Sequence, residues 1–83
     1  MQYAVYVLKS EKTGRYYVGC TKDLDLRLQQ HNKGMTKSTK GFGPWQVIHV
    51  ERYENLSEAR QRETKIKSWK SRYHMEKALG LKS

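Results

Sequence analysis

The run Tyr3-Ala4-Val5-Tyr6-Val7-Leu8 constrains this chain most. Its β-branched, aromatic and apolar side chains follow one another without polar alternation, which predicts a strand buried on both faces. Ser10 to Gly14 is polar and ends in Thr-Gly, a turn signal. Residues 15–20, Arg15 to Cys20, then predict the return strand of a hairpin. Gly19 near its end marks a bulge or a close approach to the backbone. A turn near Glu11–Lys12 would set Tyr6 and Tyr17 opposite one another, and cross-strand partners share a face. A slip of one residue would separate them. The plain alternative is a pair of core or sheet-surface aromatics.

Thr21 or Asp23 can cap a helix that runs to about Asn32, because each offers an oxygen to the free amides of the first turn. Asp23 and Asp25 suit the positive end of its dipole, and Asn32 and Gly34 provide the stop. Residues 33–44 have no apolar period and hold Lys33, Lys37, Lys40 and the proline Pro44, so a basic, mobile loop is expected there. Residues 45–53 predict a third strand, with Trp45, Val47, His49, Glu51 and Tyr53 on one face and Ile48 and Val50 on the other. Asn55 to Glu58 has the spacing of a capping box. It opens a helix to about Trp69 or Lys70, and a short helix around Tyr73–Leu79 follows, stopped by Gly80.

With 83 residues there is room for one domain. The expected class is α/β (α+β): a small three-stranded antiparallel sheet flanked by helices, in the order β-β-α-β-α-(α). Charge narrows the function. Seventeen Lys and Arg against eight Asp and Glu give a net charge of +9. Residues 60–83 hold eight basic and two acidic side chains, so the surplus is concentrated there. A polyanion, most simply nucleic acid, is the natural partner of such a surface; a merely solubilising surface is the alternative. No apolar run approaches the ~20 residues that span a bilayer, so no membrane association is expected. No apolar segment follows Met1, so no secretory leader is expected and the chain reads as cytoplasmic. The single cysteine, Cys20, can form neither an internal disulfide nor a cysteine-rich zinc site.

Two helix faces break the apolar pattern. Leu24, Arg27, Leu28 and His31 share a face of the first helix, and Leu56, Ala59, Glu63 and Ile66 share one of the second. A charge in such a stripe is costly unless it is paired or binds a metal, and local rules tend to fail at functional sites. Arg27 and Glu63 could also simply pair across packed helices.

Taken in order, these residues resemble the GIY-YIG nuclease family. Ala4-Val5-Tyr6, ten residues, then Tyr17-Val18-Gly19 is similar to its two-part motif. Arg27 lies eight residues past the glycine, where the family has an arginine. His31-Asn32-Lys33-Gly34 matches the H-N-x-G of small stand-alone members, and Ala59 to Glu63, followed by Lys65 to Trp69, resembles the distal helix with its metal-binding glutamate. The resemblance runs from Tyr3 to about Lys70. Three positions depart from the pattern. Ala4 replaces a glycine and Val18 an isoleucine. Cys20 stands where nucleotide-excision repair members carry a lysine, and Lys22 is the nearest amine.

The resemblance implies metal-dependent hydrolysis of DNA phosphodiesters, selective for structure more than sequence, with branched or flapped DNA as candidate substrates. Glu63 would bind one Mg²⁺ or Mn²⁺, since Mg²⁺ accepts few carboxylates and keeps waters and a substrate phosphate. Arg27 would fork onto the scissile phosphate. Tyr6 would be the general base and Tyr17 would position water or phosphate, or the two would exchange roles. His31 would relay a proton or touch phosphate. Lys22, Lys33, Lys37, Lys40, Lys67 and Lys70 would hold backbone phosphates, which gives affinity without sequence information. The rival readings are a nucleic-acid-binding module that no longer cuts, and an interaction module serving a DNA-processing partner. Oligomeric state is open.

Other motifs are weaker. Lys40-Gly41-Phe42-Gly43 matches half of an RNA-recognition signature, but Pro44 follows at once and cannot donate in a central strand. His31, His49, His74 and Cys20 lack zinc spacing. The two C-terminal helical segments lack the glycine turn of a helix-turn-helix.

Overall fold

The apolar run becomes strand β1, Tyr3–Ser10, in the middle of a three-stranded antiparallel sheet. The structure is a computed structural model that describes residues 2–37, 39–69 and 71–81. Strands β2 (Tyr16–Thr21) and β3 (Trp45–Tyr53) flank β1, giving the order β2-β1-β3. Helices α1 (Leu24–Asn32), α2 (Leu56–Ser68) and α3 (Arg72–Ala78) complete the α+β order β-β-α-β-α-α. No described helix is long and apolar enough to cross a membrane.

The central strand lacks polar alternation because both of its faces are covered. Val5 and Val7 enter one cluster with Val18, Ala59, Ile66 and Met75. Tyr6 and Leu8 enter another with Trp45 and the partly buried Tyr17, Leu24, Leu28 and Phe42. Successive Cβ atoms point to opposite faces, so α2 and α3 cover one side and α1 with the 33–44 loop covers the other. Val5, Val7, Leu8 and Ile66 are fully buried, each worth roughly 1.5–3 kcal/mol.

The hairpin register differs from the expected one by two residues. Tyr6 pairs with Gly19, and Tyr17 pairs with Leu8. The turn lies slightly later than Glu11–Lys12 because Ser10 organises it. The Ser10 amide donates to the Arg15 carbonyl at 2.8 Å, and Ser10 Oγ accepts from the Lys12 and Thr13 amides. Moving a turn centre by one residue shifts the pairing by two, which preserves facing. Tyr6 and Tyr17 are therefore diagonal neighbours on one face, with ring centroids 6.4 Å apart.

Strand β3 does not keep its five alternate residues on one face. Val7 pairs with His49 but Leu8 pairs with Val47, so the register shifts between them and Ile48 is the extra residue of a bulge. Trp45, Val47 and Val50 pack on the α1 side, whereas Ile48 and Tyr53 pack on the α2 side. A bulge adds a residue to one strand and inverts the facing beyond it.

The caps follow the sequence closely. Asp23, rather than Thr21, accepts from the Leu26 amide, and Asn55 accepts from the Glu58 amide at 2.8 Å. Gly34 ends α1 with φ 73°, a conformation that favours glycine. Leu56, expected in the buried stripe of α2, is 39% exposed, and Arg62 turns inward instead.

The described residues of the 33–44 loop are tied to the sheet and to α1. Thr39 is fully buried. Ser10 Oγ donates to the Phe42 carbonyl, the Glu11 amide donates to the Pro44 carbonyl at 2.9 Å, and Trp45 Nε1 donates to the Thr39 carbonyl at 3.3 Å. Asn32 brackets the next strand: its Oδ1 accepts from the Trp45 amide and its Nδ2 donates to the Trp45 carbonyl. These partners lie far apart in sequence, so no periodic pattern reports them.

Candidate active site

Tyr6 is the centre of the site, and Gly19 makes room for it. A Cβ on Gly19 would overlap the Tyr6 hydroxyl and lie 2.5 Å from Cζ. Close approach, not a bulge, therefore explains this glycine. Tyr6 is 1% exposed. Its hydroxyl is 3.1 Å from His31 Nε2. His31 is the buried residue of α1 and occupies the inner face with Leu24 and Leu28. Its other ring nitrogen, Nδ1, lies 2.8 Å from Thr39 Oγ1, and that hydroxyl is 3.3 Å from the Thr36 carbonyl. The result is a chain of neutral polar groups running from the sheet through α1 into the loop.

Tyr17 closes the aromatic wall. Its ring centroid lies 4.8 Å from that of His31 and 6.4 Å from those of Tyr6 and Trp45. It is half-buried, so it is more accessible than Tyr6. Arg27, also half-buried, bonds to Gln30 Oε1 at 3.1 Å and reaches the surroundings of the Tyr6 hydroxyl.

The electrostatics follow from burial. Burial pushes the Tyr6 phenol above its ordinary value of 10.0, the Arg27 guanidinium pulls the other way, and Tyr17 and Glu63 raise it further. Burial lowers the His31 imidazole below 6.5, and the Arg27 charge lowers it more. The resting site thus holds a phenol and a neutral imidazole.

Glu63 projects from α2, on the other side of the sheet, yet its charge is felt at both Tyr6 and Cys20. β2 is an edge strand, so a group on α2 can meet the α1 face past it. Arg27 and Glu63 do not pair. Glu63 Oε2 instead holds Lys67 Nζ at 2.8 Å, and its side chain is 19% exposed. Among the described residues no group of three or more His, Cys, Asp or Glu side chains could hold a metal. The donor set here is one carboxylate. It fits a cation that keeps most of its waters and takes a substrate phosphate, and it does not fit a pair of metals.

The structure brings Tyr6, Tyr17, Arg27 and His31 together, with Glu63 within electrostatic reach. The lysines are dispersed. Lys67 is the partner of Glu63. Lys33, Lys37 and Lys40 are exposed on the α1 end and the loop. Lys22 lies with its ammonium 5.6 Å from the Tyr3 ring centroid, and Tyr3 packs against the opposite cluster. Lys70 lies outside the described residues. Cys20 packs on the α2 side, and burial and the Glu63 charge both raise its thiol. Lys40-Gly41-Phe42-Gly43 is in the loop, not in a strand.

Sequence reasoning missed Thr39, Gln30 and the bracketing role of Asn32. Nothing singled out Thr39, because Thr36 and Ser38 stand in the same loop. It also missed a second polar cluster on the far side of the sheet. There Glu51 accepts two hydrogen bonds from Arg62, at 2.8 and 3.0 Å, one from His49 at 2.8 Å and one from Tyr53 at 2.7 Å. Burial alone would raise the Glu51 carboxyl, but these bonds together hold it at about 2.

Comparison with known proteins gives concordant results. A family model described as the GIY-YIG catalytic domain matches residues 2–77. A UPF0213 protein from Oceanobacillus iheyensis is 42% identical over 67 residues, which cover 80% of this chain and 77% of that one. A UPF0213 protein from Staphylococcus aureus is 39% identical over 66 residues, covering 78% and 79%. The solution NMR structure of a UPF0213 protein from Bacillus halodurans superposes with a TM-score of 0.63 at 32% identity, covering 99% of this chain and 86% of that one.

Proposed function

The chain belongs to the GIY-YIG catalytic-domain family, generally nucleases, and from that premise we propose that it is an endonuclease that hydrolyses DNA phosphodiester bonds with one divalent cation. The observation that carries the reading is the meeting of Tyr6, Tyr17, His31 and Arg27 on one face, with Glu63 near enough to act on Tyr6.

Each residue has a task that its surroundings support. Arg27 is the cation near the Tyr6 hydroxyl, and its planar donors suit a phosphate. Turning onto the scissile phosphate would expose Tyr6 to the attacking water. Tyr6 then takes the proton of that water and passes its own to His31. The ordinary phenol and imidazole values differ by ~3.5 units, a cost of ~5 kcal/mol for that transfer. Burial widens the gap in the resting site. The phosphate charge near the imidazolium and the cationic groups near the phenolate must close it. Tyr17, accessible and against His31, positions water or phosphate. Glu63 would hold Mg²⁺ or Mn²⁺, which when bound supplies Lewis-acid stabilisation of the leaving oxygen. The exposed lysines of residues 33–44 contribute salt-sensitive affinity for the DNA backbone.

One observation favours a second reading. Lys67 already neutralises the carboxylate that a metal needs. A chain in which that pair never opens would bind DNA, or a DNA-processing partner, without cutting.

The test is incubation with branched, flapped, single-stranded and duplex DNA in Mg²⁺ or Mn²⁺, beside Glu63→Ala and Arg27→Ala. Cleavage that both variants lose supports the nuclease and identifies its preferred structure. Cleavage that they retain means that this site is the wrong one, and salt-dependent binding without cleavage supports the second reading.

A further inference from the structure

We propose that Thr39 is a positioning residue that sets the tautomer of His31 and thereby the direction in which Tyr6 passes its proton. The consequence for catalysis rests on the nuclease reading above; the tautomer does not.

The direction follows from both ends of the chain. Tyr6 is buried, and His31 Nε2 is the acceptor within reach of its hydroxyl among the described residues. The Arg27 guanidinium near that oxygen has no acceptor to offer. The Tyr6 hydroxyl therefore donates to Nε2 whenever that nitrogen is bare. At the other end, the Thr36 carbonyl 3.3 Å from Thr39 Oγ1 can only accept, so a hydroxyl turned toward it takes Nδ1–H, 2.8 Å away, as its donor. Both ends are satisfied by the Nδ1–H tautomer, and the shorter bond, to Thr39, is the one that selects it. In a neutral imidazole one nitrogen donates and the other accepts, and the bond at one fixes the role of the other. Thr39 is itself held, fully buried, by Trp45 Nε1 on its carbonyl. The loop's part in the site is thus to orient a base, beyond any contact its lysines make.

The proton step balances. The Tyr6 O–H bond breaks as Nε2–H forms, leaving phenolate and imidazolium. The phenolate takes a proton from water, whose oxygen attacks phosphorus as the P–O bond to the leaving group breaks. Solvent protonates the leaving oxygen, and the imidazolium returns its Nε2 proton to solvent through Tyr6. Nδ1–H stays on Thr39 throughout.

The experiment is a long-range ¹H–¹⁵N correlation of the histidine ring nitrogens in the full chain, with steady-state cleavage beside it. Wild type is expected to show a protonated Nδ1 and a bare Nε2 at His31. Thr39→Val should lose that signature and lower kcat about tenfold with KM unchanged, the size of one neutral hydrogen bond. Thr39→Ser, which keeps the hydroxyl, should restore both. A wild-type His31 protonated at Nε2, or a Thr39→Val protein that keeps the Nδ1–H signature, would overturn the proposal. If Thr39→Val does not fold, the wild-type and Thr39→Ser spectra decide: Nδ1–H in both supports the assignment, and Nε2–H in either sinks it. If no protein cleaves DNA but the tautomer follows Thr39, the nuclease reading falls and the tautomer assignment stands.

Discussion

The two faces of the sheet bury polar groups in opposite ways. On the α2 side, Glu51 is surrounded by Arg62, His49 and Tyr53, and every near neighbour donates to it. On the α1 side, Tyr6, His31 and Thr39 form a single file in which each group has one donor and one acceptor side. The first arrangement locks a charge in place, because its carboxylate is far more acidic than usual, at about 2, and stays ionised. The second holds no net charge at rest, and in the proposed reaction one proton passes between Tyr6 and His31 while Thr39 keeps its bond. A converging set of bonds holds a charge still, and a file of neutral groups is the arrangement that the proposed proton transfer needs.

The difference can be broken from either side. On the α1 face, Arg27→Ala is expected to lower cleavage on the order of 10²–10³-fold, typical of a lost transition-state contact, with little change in melting temperature. A melting temperature that falls along with the rate would mean that Arg27 is structural. On the α2 face the expectation reverses. Glu51→Gln should cost about 3 kcal/mol of stability at neutral pH, while the folded fraction cleaves normally. Chemical denaturation together with specific activity per folded molecule checks both.

The same carboxylate sets an acid limit. Its folded value, about 2, lies below the ordinary 4.5. Its contribution is therefore complete above about pH 4.5 and declines as pH falls through the folded value, because the unfolded chain takes the proton first. Denaturant midpoints between pH 6 and pH 2, measured for wild type and Glu51→Gln, should converge on the acid side. Curves that stay parallel would show that the bonds around Glu51 do not depress it.

Gly19→Ala sharpens the comparison on the α1 face. Its methyl group would overlap Tyr6, which is the end of a rigid buried side chain. Overpacking of this kind costs ~1–3 kcal/mol. The displaced hydroxyl should also weaken the bond to His31, visible as a change in the His31 ring nitrogen shifts. The smallest effect belongs to Lys67→Ala. A partly exposed i,i+4 pair contributes roughly 0.3–0.5 kcal/mol, so stability should barely move. Mn²⁺ binding, followed by titration calorimetry, should tighten because Glu63 loses its competing cation. Unchanged affinity would remove Glu63 from the cation site.

Much of this was legible in the chain. The periodicities of Tyr3–Leu8, Trp45–Tyr53 and the two longer helices are local properties of backbone geometry, and strand and helix boundaries followed them closely. The misplaced Arg27, His31 and Glu63 were visible because a polar group in an apolar stripe breaks a local rule. Gly19 signalled a close approach without naming what approaches.

What the sequence alone determined is thus the order of elements, the caps and which side chains are out of pattern. Tertiary structure decided the rest. It placed the turn one residue later and inserted the bulge at Ile48. It also buried Thr39 against His31 and gathered three donors' residues around Glu51. The physical reason is one of range. Period and capping depend on neighbours a few residues away, whereas a buried hydroxyl or carboxylate is satisfied by whatever polar group the packed fold brings within about 3 Å. A hydroxyl in a basic loop looks the same in sequence whether it faces water or holds an imidazole in one tautomer.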